Sequence, residues 1–258
     1  MNSNGTDLSK ILLITGATSA IGRELALHYA RTGFTLHLQG RNPIALDQIC
    51  SECAMTGAQV HSHPLDLLDQ TATSAWLDKL VGETCIDLFI ANAGMNINTG
   101  PNQSGELEVE IIQLLDLNIK ATVLMTNKIA QLMKSKGAGQ IALISSLAAY
   151  YGLPDTPSYS ASKAAVKAYG EGLRGWLAPF GVKVSVVMPG YVQSAMCDQM
   201  PGPKPFLLQP KQAAAIIAQG LACNRARISF PFPLNFGTWW LAVLPARISQ
   251  FILAKIGY

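Results

Sequence analysis

Charge is scarce in this 258-residue chain: Asp, Glu, Lys and Arg together make up 14%, against 49% hydrophobic residues. That balance excludes a generally disordered chain and leaves ample material for a large core. Long apolar runs are missing too. No stretch reaches the roughly 18–20 residues that a membrane-spanning helix needs, although mean hydropathy is +0.25. The segment Met1 to Lys10 is polar and carries no apolar signal core, so the expected location is the cytoplasm. The five cysteines are an odd number, and in such a chain they are expected to stay reduced. Cys50-x-x-Cys53 followed by His61-x-His63 has the outline of a zinc site, but no other part of the chain has ligand spacing. No metal is expected.

Acid is absent from residue 199 onward. All 16 acidic residues precede that point, whereas Lys204, Lys211, Arg225, Arg227, Arg247 and Lys255 follow it. A basic, aromatic-rich tail suits an anionic surface or another subunit. Its aromatics cluster with aliphatics and prolines instead of alternating with basic residues, so nucleic acid is not an expected partner.

The rest of the chain alternates short apolar runs with longer helical patterns. Strands are expected at Ile11–Thr15, Phe34–Gln39, Ala58–Leu65, Ile86–Ala91, Gln140–Ser145, Val182–Met188 and Ala226–Phe230. Several are continuously apolar, as in parallel strands covered on both faces. Helices are expected at Ile21–Arg31, Glu106–Lys136 and Ser158–Pro179. This alternation predicts an α/β fold with a doubly wound, Rossmann-like parallel sheet. A single catalytic domain over 1–225 is expected, with an apolar, basic C-terminal segment over 226–258.

The first strand runs into Thr15-Gly16-Ala17-Thr18-Ser19-Ala20-Ile21-Gly22 and then directly into a helix. Glycines in such a turn let backbone N–H groups approach a pyrophosphate at the positive end of the helix. By itself the turn is common in α/β proteins. Far downstream, Ser146 precedes Tyr159 and Lys163, which are four residues apart and share one helical face. An ammonium beside the phenol is expected to lower its pKa from about 10. A tuned phenol is suited to exchanging a proton with a carbonyl/alcohol pair, and Ser146 can hydrogen-bond the same oxygen.

With these motifs in this order, the chain resembles the short-chain dehydrogenases/reductases of the compact single-domain type over roughly residues 8–195. The resemblance rests on the glycine turn, Asn92-Ala93-Gly94, Asn118, Ser146, Tyr159-Ser-Ala-Ser-Lys163 and Pro189-Gly190-x₃-Ser194. It implies a catalytic tetrad of Asn118, Ser146, Tyr159 and Lys163, with Lys163 also holding the nicotinamide ribose and Asn118 positioning a water. It selects Ser146 over Ser145, because the family's serine lies 13 residues before the tyrosine. It further implies adenine contacts from Asp66 and Leu67, and nicotinamide contacts from Pro189, Gly190, Val192 and Ser194. Gly16, Thr18, Ser19, Ala20, Ile21, Gly22, Asn92, Ala93 and Gly94 complete the implied cofactor site. Three departures stand out: Ala20 replaces the usual middle glycine, Ala91 a usual asparagine, and Ser194 a usual threonine. Ala20 is tolerable where φ stays negative.

Cofactor choice falls to Gln39-Gly40-Arg41-Asn42 after the second strand. An acidic residue there would bind the ribose 2′-hydroxyl of NAD, whereas Arg41 can clamp a 2′-phosphate. NADP(H) is the expected cofactor. For the substrate pocket the family's loops offer Leu147, Tyr150, Tyr151 and Leu153, then Met196, Met200, Phe206, Leu207 and Leu208, which suit a hydrophobic carbonyl or alcohol. The expected function is therefore an NADP(H)-dependent oxidoreductase acting on a CH–OH group. One alternative is a non-catalytic NADP(H)-binding regulatory protein, though a pure binder needs no proton donor. A second, an epimerase of the longer related branch, lacks the roughly 80–100 extra residues of a substrate domain. A homo-oligomer, dimer or tetramer, is expected. Residues 230–258 are read as a subunit interface, a lid over the site, or a peripheral contact at the inner face of a membrane. Ile248, Phe251, Ile252, Lys255 and Ile256 recur there at helical spacing, and Pro245 should divide the segment into two short helices.

Overall fold

The computed structural model describes residues 9–200 and 202–256. Seven strands form one sheet: β1 (Ile11–Ile14), β2 (Thr35–Gly40), β3 (Val60–Pro64), β4 (Leu88–Ala91), β5 (Gly139–Ile144), β6 (Val182–Pro189) and β7 (Arg227–Phe230). Every pairing is parallel, in the order β3-β2-β1-β4-β5-β6-β7. The chain winds outward from β1 to β3, then returns to build the other half from β4. The reversal leaves a crevice beyond the carboxyl ends of β1 and β4, where ligands of such sheets bind. β3 is an edge strand, which is why Pro64 is accommodated in it.

Helices cover both faces: α1 (Ala20–Ala30), α2 (Pro43–Ala54), α3 (Gln70–Glu83), α4 (Glu108–Leu115), α5 (Thr122–Lys136), α6 (Pro157–Leu177), α7 (Ala195–Asp198), α8 (Pro210–Ala222), α9 (Leu234–Val243) and α10 (Ala246–Lys255). The strands' period of two sorts their side chains between two cores. Leu12, Ile14, Leu36, Leu38 and Ile90 pack against α1, α2 and α8. Leu13, Phe89, Ile141, Leu143 and Val184 pack against α3, α5 and α6. Each such side chain, fully removed from water, contributes about 1.5–3 kcal/mol.

The same alternation removes the zinc outline. Cys53 packs in the first core with Leu36 and Leu38. His37 points to the opposite face, stacked on His61 and His63, and His63 accepts a hydrogen bond from Trp76 of α3 at 3.0 Å. The described residues hold no group of three or more potential metal ligands.

The expected helix over 106–136 is interrupted. A π-helical turn, Asp116–Ala121, joins α4 to α5 and contains Asn118. β7 pairs with β6, so the part of the chain outside the sheet begins after Phe230. There, Pro245 separates α9 from α10 as its missing N–H and fixed φ require. Ser249, wholly buried on α10, donates to Leu241 O of α9 at 2.8 Å and holds the two as a hairpin. Asn235 ties the hairpin to β7 by donating to Ser229 O at 3.0 Å.

Candidate active site

The turn after β1 is built around Gly16, whose φ of +63° is open to glycine at little cost. A Cβ there would also lie 2.8 Å from Ala93 Cα. Asn92, at the end of β4, donates to Thr15 O, Gly16 O and Ser19 Oγ at 2.9–3.0 Å. Gln39 braces the other side, accepting from Gly16 N at 3.0 Å and donating to Leu65 O at 2.6 Å. Ser19 caps α1 by accepting from Gly22 N. The N–H groups of Ala20 and Ile21 are left without an acceptor among the described residues, at the positive end of the helix. Ala20 opens α1 with negative φ, so its methyl group is tolerated. This surface fits a dinucleotide pyrophosphate.

From this end a cavity of about 520 Å³ runs along the strand termini. Thr18, Ser19, Ala20, Ile21, Asn92 and Gly94 line one end. Ser146, Tyr159 and Lys163 face its middle, beside Pro189, Gly190, Val192 and Ser194. Gly16, Gly22 and Ala93 form the turn's packing instead of the cavity wall. Arg41 is exposed just past β2 and pairs with no carboxylate among the described residues. Asp66 is also exposed, and its carboxylate accepts from Leu68 N. The Leu67 side chain is buried in the second core, so only its backbone is free to meet a ligand.

Pro157 begins α6, where its missing N–H costs nothing. The Glu106 carboxylate accepts from Ser158 N at 3.2 Å and occupies the positive end of that helix, a contact no local motif announces. Tyr159 and Lys163 stand on successive turns, with Lys163 Nζ 5.6 Å from the phenol ring centroid. Lys163 Nζ donates to Ile144 O at 3.1 Å, and burial pushes its pKa down to about 8. Ser145 is structural: its hydroxyl donates to Lys163 O at 2.7 Å. The π turn aims Asn118 inward, where it accepts from Met95 N and donates to Met95 O, both at 2.9 Å. Asn118 Nδ2 also donates to Ser162 Oγ, which donates to Tyr159 O.

Two expectations need correction. The lysine was expected to pull the phenol pKa down, yet Tyr159 is raised. Burial is the larger influence, and the Ser146 hydroxyl opposes it. The pocket lining also differs. Leu147, Tyr151, Leu153, Met196 and Met200 face the cavity, but Tyr150, Phe206, Leu207 and Leu208 do not. Phe206 is 54% exposed, and Leu208 packs towards the first core. The missing wall comes from the C-terminal hairpin: Leu234, Thr238, Leu241, Ile252, Leu253 and Ile256. The apolar stripe expected on α10 is therefore split, with Ile252 and Ile256 at the cavity and Ile248 and Phe251 outside it.

A dinucleotide turn, a serine–tyrosine–lysine group and an apolar cavity between them define an oxidoreductase of the Rossmann type. Residues 10–203 match the short chain dehydrogenase family, and the chain belongs to the short-chain dehydrogenases/reductases. It is 32% identical to an "Uncharacterized oxidoreductase" of Myxococcus xanthus (strain DK1622), covering 90% of this chain and 92% of that one. A short-chain dehydrogenase from Sphingobium yanoikuyae in complex with NADPH superposes with TM-score 0.82 at 25% identity, covering 96% of both chains. An NAD⁺-bound xylitol dehydrogenase shares the fold with TM-score 0.75 at 22% identity, covering 85% of this chain and 95% of that one. The family binds NAD(P) and acts on small molecules.

Proposed function

We propose that the chain is an NADP(H)-dependent reductase or dehydrogenase for an apolar carbonyl/alcohol pair. The observation that carries this reading is that Ser146, Tyr159 and Lys163 face one cavity whose remaining wall is largely aliphatic and thioether. A nicotinamide cofactor held between the turn after β1 and Pro189 to Ser194 would supply the hydride chemistry. Tyr159 exchanges the proton with the substrate oxygen, and its high pKa keeps it a proton donor at neutral pH. Ser146 hydrogen-bonds the same oxygen and polarises the carbonyl. Lys163, with pKa about 8, stays largely protonated at neutral pH and serves the ribose hydroxyls and the phenol. Asn118 holds the Met95 backbone and the turn beneath Tyr159, and the family resemblance assigns it the positioning of a water for proton return.

Arg41 supports the choice of NADP(H), since an exposed guanidinium at the end of β2 is free to clamp a 2′-phosphate. Leu67 and Asp66 bound the adenine end, and Pro189 to Ser194 the nicotinamide end. A homo-oligomer is supported by exposed Val109 and Ile112 on α4 and Leu124 and Leu132 on α5, apolar groups that a second copy would cover. The test is the rate of NADPH and NADH oxidation with a panel of apolar ketones and aldehydes. Turnover supported by NADPH is expected. Tight cofactor binding with no turnover on any carbonyl would leave a binding protein instead, and equal use of NADH would overturn the reading of Arg41.

A further inference from the structure

We propose that the α9–α10 hairpin docks on an anionic phospholipid surface and admits a bilayer-dissolved carbonyl substrate to the cavity behind it, an inference that rests on the reductase reading above. The hairpin has two apolar sides. Its inner side, through Leu241, Ile252 and Ile256, closes the cavity that holds Tyr159. Its outer side leaves Phe232 at 79%, Phe251 at 63%, Phe236 at 52% and Trp240 at 43% exposure. Phe236, Trp239 and Trp240 form one aromatic cluster, with ring centroids 5.3–6.0 Å apart. Exposing this many aromatics on one small motif is expected of a contact surface, not of a face turned permanently to water.

Charge identifies the occupant. Arg247 and Lys255 flank the outer side, Lys255 Nζ lies 5.7 Å from the Phe251 ring centroid, and no acidic side chain follows Asp198 in the sequence. A second copy of the hairpin would bring four cations together with no acid from either segment to offset them. An anionic leaflet complements the same set, and paired tryptophans suit the headgroup level. No helix among the described residues is long and apolar enough to cross a membrane, so the hairpin lies in the interface. The cavity rim formed by Ile252 and Ile256 then opens at acyl-chain depth, where an apolar ketone is concentrated.

The full chain is sedimented with phosphatidylserine/phosphatidylcholine vesicles and with pure phosphatidylcholine vesicles, alongside two variants whose side chains lie outside the cavity. Binding to the mixed vesicles should exceed binding to the neutral ones. Arg247→Ala with Lys255→Ala should weaken binding to the mixed vesicles about 25-fold, close to fivefold for each cation. Trp240→Ser with Phe251→Ser should reduce binding to both compositions, while reduction of a water-soluble ketone stays unchanged. Reduction of a long-chain ketone carried in the vesicles should fall with the loss of binding. Wild-type protein that stays in the supernatant with mixed vesicles would overturn the proposal. So would an aromatic variant that keeps vesicle binding but falls to a smaller oligomer, since the patch would then be a subunit contact. Vesicle binding without reduction of any carbonyl would overturn the reductase reading alone.

Discussion

A β-carbon placed on Gly94 would lie 3.1 Å from Asn118 Oδ1 and 3.3 Å from Lys163 Nζ. The absence of a side chain at this one position lets β4's end pass directly over two polar groups that come from separate elements. Neither neighbour is free to withdraw. Asn118 is held on both sides of Met95, and Lys163 is bonded to Ile144 O. Gly94 is not among the glycines with positive φ, so alanine is permitted by the backbone and disfavoured only by these contacts. Gly94→Ala should therefore lower the melting temperature modestly and lower kcat by about tenfold, since small misplacements of reacting groups are costly. Thermal melts and steady-state kinetics on the same preparation check both halves.

Replacing Tyr159 with phenylalanine removes the proposed proton donor and little else. The cavity shape and the Tyr159 backbone bond from Ser162 are retained. Cofactor affinity should stay close to wild type while kcat falls by about 10²–10⁴. Near-normal turnover would assign the proton to another group.

Arg41→Ala should weaken NADPH binding by about 1.5–3 kcal/mol, the range for hydrogen bonds to a charged group. NADH binding should barely change, because the 2′-hydroxyl offers the guanidinium no charge. Titration of intrinsic fluorescence with each cofactor separates the two, and equal loss for both would place Arg41 elsewhere in the site.

Acid should destabilise the fold through two histidines. Burial depresses both His37 and His63 to a pKa of about 4. His63 accepts from Trp76 at Nδ1, so its Nε2 carries the proton donated to His37 Nδ1, 3.0 Å away. Protonating either ring at the accepting nitrogen breaks one of these bonds. Between pH 6.5 and about 4 the unfolded chain binds protons that the folded one refuses, so stability falls as pH falls through that window. Above pH 6.5 their contribution is present in full. Urea midpoints measured across this range should decline for wild type and decline less for His37→Asn. Parallel slopes in the two proteins would remove His37 from the account.

The parallel sheet and the phosphate turn were legible because their causes are local. Ile11–Ile14 is a continuous apolar run, and Gly16 stands where φ is positive and a Cβ would collide with Ala93. The spacing of Tyr159 and Lys163 was equally plain, being fixed by one helix. What escaped the sequence depends on distance in the fold. The sign of the Tyr159 shift is set by burial under elements remote in the chain. Thr238, Leu241 and Ile252 reach the cavity only because Ser249 and Asn235 fold the hairpin back over it. The helix over 106–136 concealed its π turn, since Asp116-Leu-Asn-Ile-Lys-Ala carries no proline or glycine to mark one.

That π turn sets a limit on engineering. A π turn is equivalent to one residue inserted into an α-helix. Deleting a residue between Leu117 and Thr122 would restore regular hydrogen bonding, and by local criteria the helix would improve. The join between α4 and α5 would then rotate by about 100°. Either Met125, Ile129 and Met133 would leave the core, or Asn118 would leave Met95. A thermostabilisation campaign guided by helix regularity would select against the site it meant to preserve.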